Sequence, residues 1–504
     1  MLTFWQLVSI GLQHCFVPMN FLFMLFGASL GIVVGALPGL SATTGMVLLL
    51  PLTYGLPVEA GMLMLAGVYC GALYGGSISA ILMGIPGTAA ALPTTFDGYP
   101  MAKKGKASEA LLLGLYGSSF GGLASSLVLL TLTPFIAKWA LKFGPPEIFA
   151  LGLWGMAVVS SIVGKDPLKG IFMALLGLFI STVGADPLEG YNRLTFDNYY
   201  LIGGFGFVPV VLGTLAMPRV FEMIDEIYTT GSGENFFSGS GKRKFFLYPF
   251  EILKHWLTLL KSALIGVIIG IAPAAGPTIA AMISYNEAKR ACANPDEFGQ
   301  GHPDGVVAAE TANNAATGGS LVLAFSIGIP GSAAAAILLG ALIMKGIQPG
   351  PMLMRNNPET IFTFFVGFAM VNILVFFIGH FFVQIAYSIL RIPVQILAPL
   401  ILVICFLGAF ASENSMFNVY VMLAVGIVAY VLGKMSFPMP PLILALILGP
   451  LIEANYWTSI LISYGDYFVF FKRPLSAIFM AVALLTFLWP WISALRGKKA
   501  KSAT

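Results

Sequence analysis

Charge is scarce in this chain. Only 10% of its 504 residues are Asp, Glu, Lys or Arg, whereas a soluble domain carries about 25%. Hydrophobic residues make up 58%, and mean hydropathy is +0.90. A water-soluble fold of this size cannot cover so much apolar surface, which excludes the soluble classes and leaves a protein of the lipid bilayer. The net charge of +4 is small and argues against a nucleic-acid partner. Cysteine is also scarce: Cys15, Cys70, Cys292 and Cys405 are scattered, with no CxxC, and read as free thiols. The four histidines (His14, His255, His302, His380) are equally dispersed and form no HExxH. No metal site follows. There is no Walker A sequence and no evident Ser–His–Asp or Cys–His set, so neither an enzyme nor a cofactor is expected. The N-terminus lacks a basic n-region and an A-x-A cleavage site, and residues 1–15 read as an amphipathic segment leading into the membrane.

What is present is a series of apolar runs near the ~20 residues a bilayer demands. Candidate spans are 16–36, 60–84, 108–133, 147–164, 168–184 and 199–217, then 256–272, 306–328, 359–388, 394–412, 416–433, 438–452 and 475–495. Stretches 38–57, 86–96 and 330–344 are apolar but short and interrupted by Gly and Pro, as re-entrant or broken helices are. The expected fold is an all-α integral membrane protein with about 11–13 transmembrane helices. Its parts are a first membrane repeat at 16–225, a cytoplasmic linker at 226–254, a second repeat at 255–455, and a final helix with a basic tail at 456–504.

The two halves look like copies. Gly31, Gly35, Pro38 and Thr43 match Gly266, Gly270, Pro273 and Thr278 at an offset of 235. GGS at Gly75 matches GGS at Gly318, and GIPGT at Gly84 matches GIPGS at Gly328. Pro209 and Pro218 match Pro441 and Pro450. The basic clusters test the orientation of the copies. Lys103, Lys104 and Lys106 mark the loop after 96 as cytoplasmic. Counting onward places Lys165, Lys169, Arg219, the Lys242–Lys244 cluster, Arg391, Lys434 and the C-terminal tail inside. The counterpart of the 97–106 loop, 345–358, falls outside, which implies inverted topology. Lys138, Lys142, Arg193, Lys472 and Arg473 run against the count. Asp166-Pro167 and Asp186-Pro187 read as boundary turns.

Three polar groupings carry the chemistry. In the GIPG copies, Gly84, Pro86, Gly87 and Thr88 answer to Gly328, Pro330, Gly331 and Ser332. The proline is expected in the first turn of a half-helix, whose N-terminal N–H groups and positive dipole end suit a carboxylate. One copy alone reads as helix packing, since small residues are common at membrane helix contacts; two matched copies favour a site between them. The second grouping, Glu310 with Asn313 and Asn314, brings an ionisable group into an apolar segment, at a cost of at least ~2.5 kcal/mol. Glu310 is a candidate coupling-ion residue that coordinates a cation, carries a proton or holds the broken backbone, and Asn313 and Asn314 are candidate substrate-binding residues; otherwise Glu310 is a boundary residue beside interhelical asparagines. The third comprises Ser41, Thr43, Thr44 and Thr278, which either coordinate a coupling ion or cap helices; both roles use the same oxygens.

These residues resemble a known family, the large membrane subunit of the tripartite tricarboxylate transporters, or TctA family. The resemblance lies in GALPGLSATTG (from Gly35), LLLPLTYGLP, GALYGGSISAIL, FDGYPMAKKGKA (Phe96–Ala107), YNEAKR (Tyr285–Arg290), and most strongly the run from Phe298 to Pro351. It covers nearly the whole chain. It departs at Pro273-Ala274-Ala275-Gly276, where a Pro-Gly turn is expected. The resemblance implies import of a di- or tricarboxylate such as citrate across the bacterial inner membrane, driven by an Na⁺ or H⁺ gradient. It implies a periplasmic solute-binding protein and a small membrane subunit of about four helices as partners. A passive anion channel or an exporter of small organic anions is the alternative.

Overall fold

The computed structural model describes residues 3–162, 166–186, 190–230, 249–273, 276–389 and 394–501. Lys165, Pro187, most of the linker with Lys242, Arg243 and Lys244, Ala274, Ala275 and Arg391 lie outside the described residues. Helix α1 (Phe4–Cys15) opens on a Thr3–Gln6 capping box, and α2 (Pro18–Ala36) starts on its proline. After a Gly39 turn comes the short α3 (Ala42–Leu49), then the long α4 (Val58–Met83). The first GIPG joins α4 to a single turn at Ala89–Ala91, which runs into α5 (Leu92–Met101) and on to α6 (Ala107–Ala140). Helices α7 (Pro145–Ile162), α8 (Pro167–Ser181), α9 (Phe207–Val211) and α10 (Met217–Thr230) complete the first half.

The second half opens with α11 (Pro249–Leu253), α12 (Trp256–Ile271), α13 (Gly276–Ala291) and α14 (Pro303–Ile327). The second GIPG leads to α15 (Ala333–Met344), followed by α16 (Leu353–Asn356), α17 (Pro358–Ile389), α18 (Val394–Glu413), α19 (Met416–Lys434) and α20 (Pro440–Ile462). Helices α21 (Val469–Lys472) and α22 (Pro474–Lys501) close the chain. A two-residue ladder pairing Gly184–Ala185 with Asn192–Arg193 is the sole sheet among the described residues. Eight helical spans among the described residues are long and apolar enough to cross a membrane, and α8, α12, α15 and part of α22 are shorter apolar helices. Leu127 and Phe135 on α6, Leu264 on α12, Leu407 on α18 and Leu485 on α22 expose their side chains, as lipid-facing positions do.

Three sequence expectations need correcting. The span at 199–217 begins later, at Phe207, because Gly203, Gly204 and Gly206 turn the chain. The span at 438–452 continues as helix to Ile462, through Pro450. The polar YNEAKR motif, placed in no span, is the second half of α13.

Small residues set the packing. A Cβ on Gly35 would sit 2.0 Å from the Ala72 carbonyl oxygen, and one on Gly31 2.7 Å from that of Val68. α2 and α4 therefore run parallel, backbone against backbone. In the second half a Cβ on Gly266 or Gly270 would sit 2.5 Å from the carbonyl oxygens of Ala312 and Ala316, so α12 and α14 repeat the arrangement. Contacts across the halves are reciprocal. α6 packs on α14 and α17 on α4; α3 packs on α15 and α13 on the Ala89–Ala91 turn. Lys104 Nζ donates to the Gln300 carbonyl (2.7 Å), while Lys345 Nζ donates to those of Tyr54 and Leu56 (2.9 and 2.7 Å). Tyr69 of α4 meets Ser320 of α14, whereas Gly114 lies between Ser77 and Glu310. Rising numbers on α4 thus meet falling numbers on α14, so these corresponding helices run antiparallel.

The basic residues that ran against the charge count are mostly neutralised. Arg193 pairs with Glu453 and with Asp186 (3.2 Å), and Arg473 with Glu147 (2.8 Å). Lys142 lies over the Trp139 ring. Lys472 bonds Asp466, and that contact with the Phe468 N–H holds the Asp466 carboxyl below its usual range.

Candidate functional site

Both GIPG copies break their helices in the same way. Gly84 and Gly328 end α4 and α14 in the left-handed conformation (φ 70° and 84°), which a side chain would strain. The Gly87 N–H then donates to the Gly76 carbonyl (3.2 Å), and the Gly331 N–H to that of Ser320 (3.1 Å). Each connector is thereby folded back on the helix it left. A Cβ on Gly87 would lie 2.0 Å from the Gly35 oxygen, and one on Gly331 2.6 Å from the Gly270 oxygen. Pro86 and Pro330 are not in the first turn of a half-helix as expected. They sit in the connectors, and helical backbone resumes three residues later, at Ala89 and Ala333. A Gly-to-helix hydrogen bond follows each proline, and the helix starts only after the next residue, Thr88 or Ser332.

Thr88 and Ser332 accordingly occupy N-cap positions with extended backbone. Ser332 Oγ accepts from the Ala335 N–H (3.1 Å) and lies 3.2 Å from Tyr69 Oη. Thr88 Oγ1 is buried and has no hydrogen-bond partner among the described residues. Two more helix starts face them. Ser41 caps α3, its Oγ accepting from the Thr44 N–H (3.1 Å) and lying 2.6 Å from Thr43 Oγ1. Gly276 opens α13, with Thr278 in its first turn.

These four starts enclose one cavity of about 460 Å³, lined by Ser41, Thr43, Thr88, Thr278, Pro330 and Ser332 among mainly apolar neighbours. No Lys or Arg lines it. Four N-terminal helix ends aimed at one space make it electropositive without a cationic side chain, and their free N–H groups suit an anion's oxygens. Thr88, Pro330 and Ser332, expected to hold substrate, thus meet Ser41, Thr43 and Thr278, expected to hold a coupling ion. Thr44 is held by Ser41 (Oγ–Oγ1 2.8 Å). Gly84, Pro86, Gly87 and Gly331 shape the connectors without lining the cavity, and Gly328 faces a second cavity of about 610 Å³ beside α8 and α20.

Glu310, Asn313 and Asn314 are buried elsewhere, inside α14. Thr94 Oγ1 and Ser118 Oγ donate to the Glu310 carboxyl (2.5 and 3.0 Å), while Asn314 Nδ2 turns back to the Glu310 carbonyl (3.5 Å). A residue that sequence reasoning missed is Asp97 of the FDGYP motif, which is fully buried. Its Oδ1 accepts from the N–H groups of Gly299, Gly301 and His302, each at 2.8 Å, and its Oδ2 from the Tyr285 hydroxyl at 2.8 Å. Phe96, Phe298 and His302 pack rings around this joint. The FDGYP motif of the first half meets two motifs of the second half there. The available signal was a lone acid in an apolar stretch.

The sequence matches the family described as Tripartite tricarboxylate transporter TctA family over residues 21–444. An uncharacterized 52.8 kDa protein of Agrobacterium vitis, from the TAR-I ttuC' 3' region, is 32% identical over 504 residues, covering 98% of this chain and 97% of the relative. A second Agrobacterium vitis protein, uncharacterized and from the TAR-II ttuC' 3' region, is 31% identical over 234 residues, 46% of this chain and 97% of the relative. No solved structure matches the chain. With its many apolar helices and a match spanning most of its length, the chain belongs to the tripartite tricarboxylate transporter TctA family.

Proposed function

We propose that the chain is the translocating subunit of a secondary transporter that imports di- or tricarboxylates, citrate-like in size, by alternating access. The observation that carries this reading is the single cavity bounded by four helix N-termini, two from each half, with the hydroxyls of Ser41, Thr43, Thr88, Thr278 and Ser332 at its wall. Its volume falls in the ordinary range for small-molecule sites. Backbone N–H groups and hydroxyls bind carboxylates without a fixed counter-charge, so a substrate so held is also readily released. Because helix N-termini repel cations, Ser41, Thr43 and Thr278 are better placed to meet the substrate than a coupling ion.

The antiparallel run of α4 and α14 supports two repeats of inverted topology, the arrangement in which one half rocks against the other around a fixed site. Family membership supports a solute-binding protein on the periplasmic side and a small membrane subunit as partners in the bacterial inner membrane, and the basic tail supports a cytoplasmic C-terminus. An Na⁺ or H⁺ gradient drives accumulation.

The test is uptake of a panel of radiolabelled carboxylates into proteoliposomes holding the assembled transporter, with and without Na⁺ and the binding protein. Wild type concentrates one of the panel against its gradient. Thr88→Leu and Ser332→Leu fill the cavity and abolish uptake while the protein stays inserted. Wild-type uptake by both variants removes the site, and equilibration without accumulation makes the protein a channel.

A further inference from the structure

Glu310 does not line the anion cavity, so its chemistry needs its own account. It lies on the cross-half contact of α14 with α5 and α6 and is fully buried. The hydroxyls that donate to it, on Thr94 and Ser118, are neutral, and it forms no ion pair among the described residues. A bare carboxylate there lacks the counter-charge that burial ordinarily demands. Beside it, one helical turn onward, is Asn313, fully buried, whose side-chain amide adjoins the Glu310 carboxyl while neither its Oδ1 nor its Nδ2 makes a well-formed hydrogen bond among the described residues. An amide oxygen awaiting a donor next to an acid awaiting neutralisation is completed by one proton. That proton on the carboxyl turns an acceptor into a donor, and Asn313 Oδ1 receives it.

We propose that Glu310 and Asn313 form a proton-binding site, separate from the substrate cavity, which couples carboxylate transport to proton movement. The coupling part rests on the transport reading above; the proton site itself does not. The titratable groups on neighbouring elements are accounted for. Tyr74 on α4 is buried with its hydroxyl unpartnered, and Asp97 on α5 is engaged by Gly299, Gly301, His302 and Tyr285 of the second half. On α6, Glu109 lies in the first turn, and the Tyr116 ring packs against Phe376 and His380 of α17. Protonated Glu310 holds α14 against α5 and α6 without buried charge. Ionised, it is stable only when water reaches it, so proton release is tied to separation of the halves.

Infrared difference spectroscopy on the purified protein tests the site. Wild type should show a carboxylic-acid band that shifts on deuteration, disappears in Glu310→Gln and moves in Asn313→Leu. Absence of the band throughout the folded pH range, its persistence in Glu310→Gln, or its displacement by Na⁺ overturns the proposal. Proteoliposomes of the assembled transporter test the coupling. An imposed pH gradient should stimulate net uptake by wild type, and Glu310→Gln should reduce that stimulation roughly tenfold or more while substrate exchange continues. Equal stimulation in both proteins overturns the coupling. If no carboxylate moves yet the Glu310 band is present, the transport reading fails and the proton site stands.

Discussion

Asp97 shows how much one side chain can hold in place. Its carboxylate takes three backbone N–H groups from the 299–302 loop and a tyrosine hydroxyl, all from the other half of the chain. Hydrogen bonds to a charged group contribute about 1.5–3 kcal/mol each before coupling is considered. Asp97→Ala leaves those N–H donors unpaired in the interior and should lower the melting temperature of detergent-solubilised protein by several degrees. Tyr285→Phe removes one donor only and should cost about 1.5–3 kcal/mol. Thermal unfolding followed by size-exclusion fluorescence ranks the two, and an Asp97→Ala melt equal to wild type denies the joint any structural weight.

Elements meet here through glycine. α2 on α4 and α12 on α14 are possible because no side chain separates their backbones, and the same absence lets each GIPG connector lie on a carbonyl of α2 or α12. Gly331→Ala places a Cβ 2.6 Å from the Gly270 oxygen and 2.8 Å from Ser320 Cα. Neither neighbour is a flexible side-chain end, so the start of α15 must move off the cavity. Uptake should fall roughly tenfold or more while surface expression persists. Gly433→Ala, in open space on α19, is the control and should transport normally. Equal transport by both variants shows that the close approach at the tip does not position the site.

At the scale of the whole molecule, the two halves are tied at two reciprocal straps, Lys104 to Gln300 and Lys345 to Tyr54 and Leu56. The proposed alternating access requires these straps to open in turn. Cysteines at positions 104 and 300, or at 56 and 345, joined by a cleavable bifunctional maleimide in a Cys292→Ser background, should each stop uptake, and cleavage should restore it. Uptake unaffected by either bridge means that the halves do not separate there during transport.

Composition and spacing alone determined the membrane class, nearly all the helices and the pairing of the GIPG copies. Each is a local property: a run of apolar residues, or Gly and Pro in a fixed order, acts on the backbone wherever the chain goes. Thr88 and Ser332 were legible as partners because the same letters recur, and Ser41, Thr43 and Thr278 because Gly and Pro flank hydroxyls. Tertiary structure decided what local signals cannot carry. It put Ser41, Thr43 and Thr278 in the same cavity as Thr88, Pro330 and Ser332, since four helix ends share one space only after the halves interlock. It moved Glu310 out of that cavity, because the Gly114 and Gly121 contacts bring α6 against α14 and close Thr94 and Ser118 over the acid. It gave Asp97 partners 202 to 205 residues away. A hydrogen bond across that separation leaves no periodic mark in sequence, because its register is set by how whole helices pack.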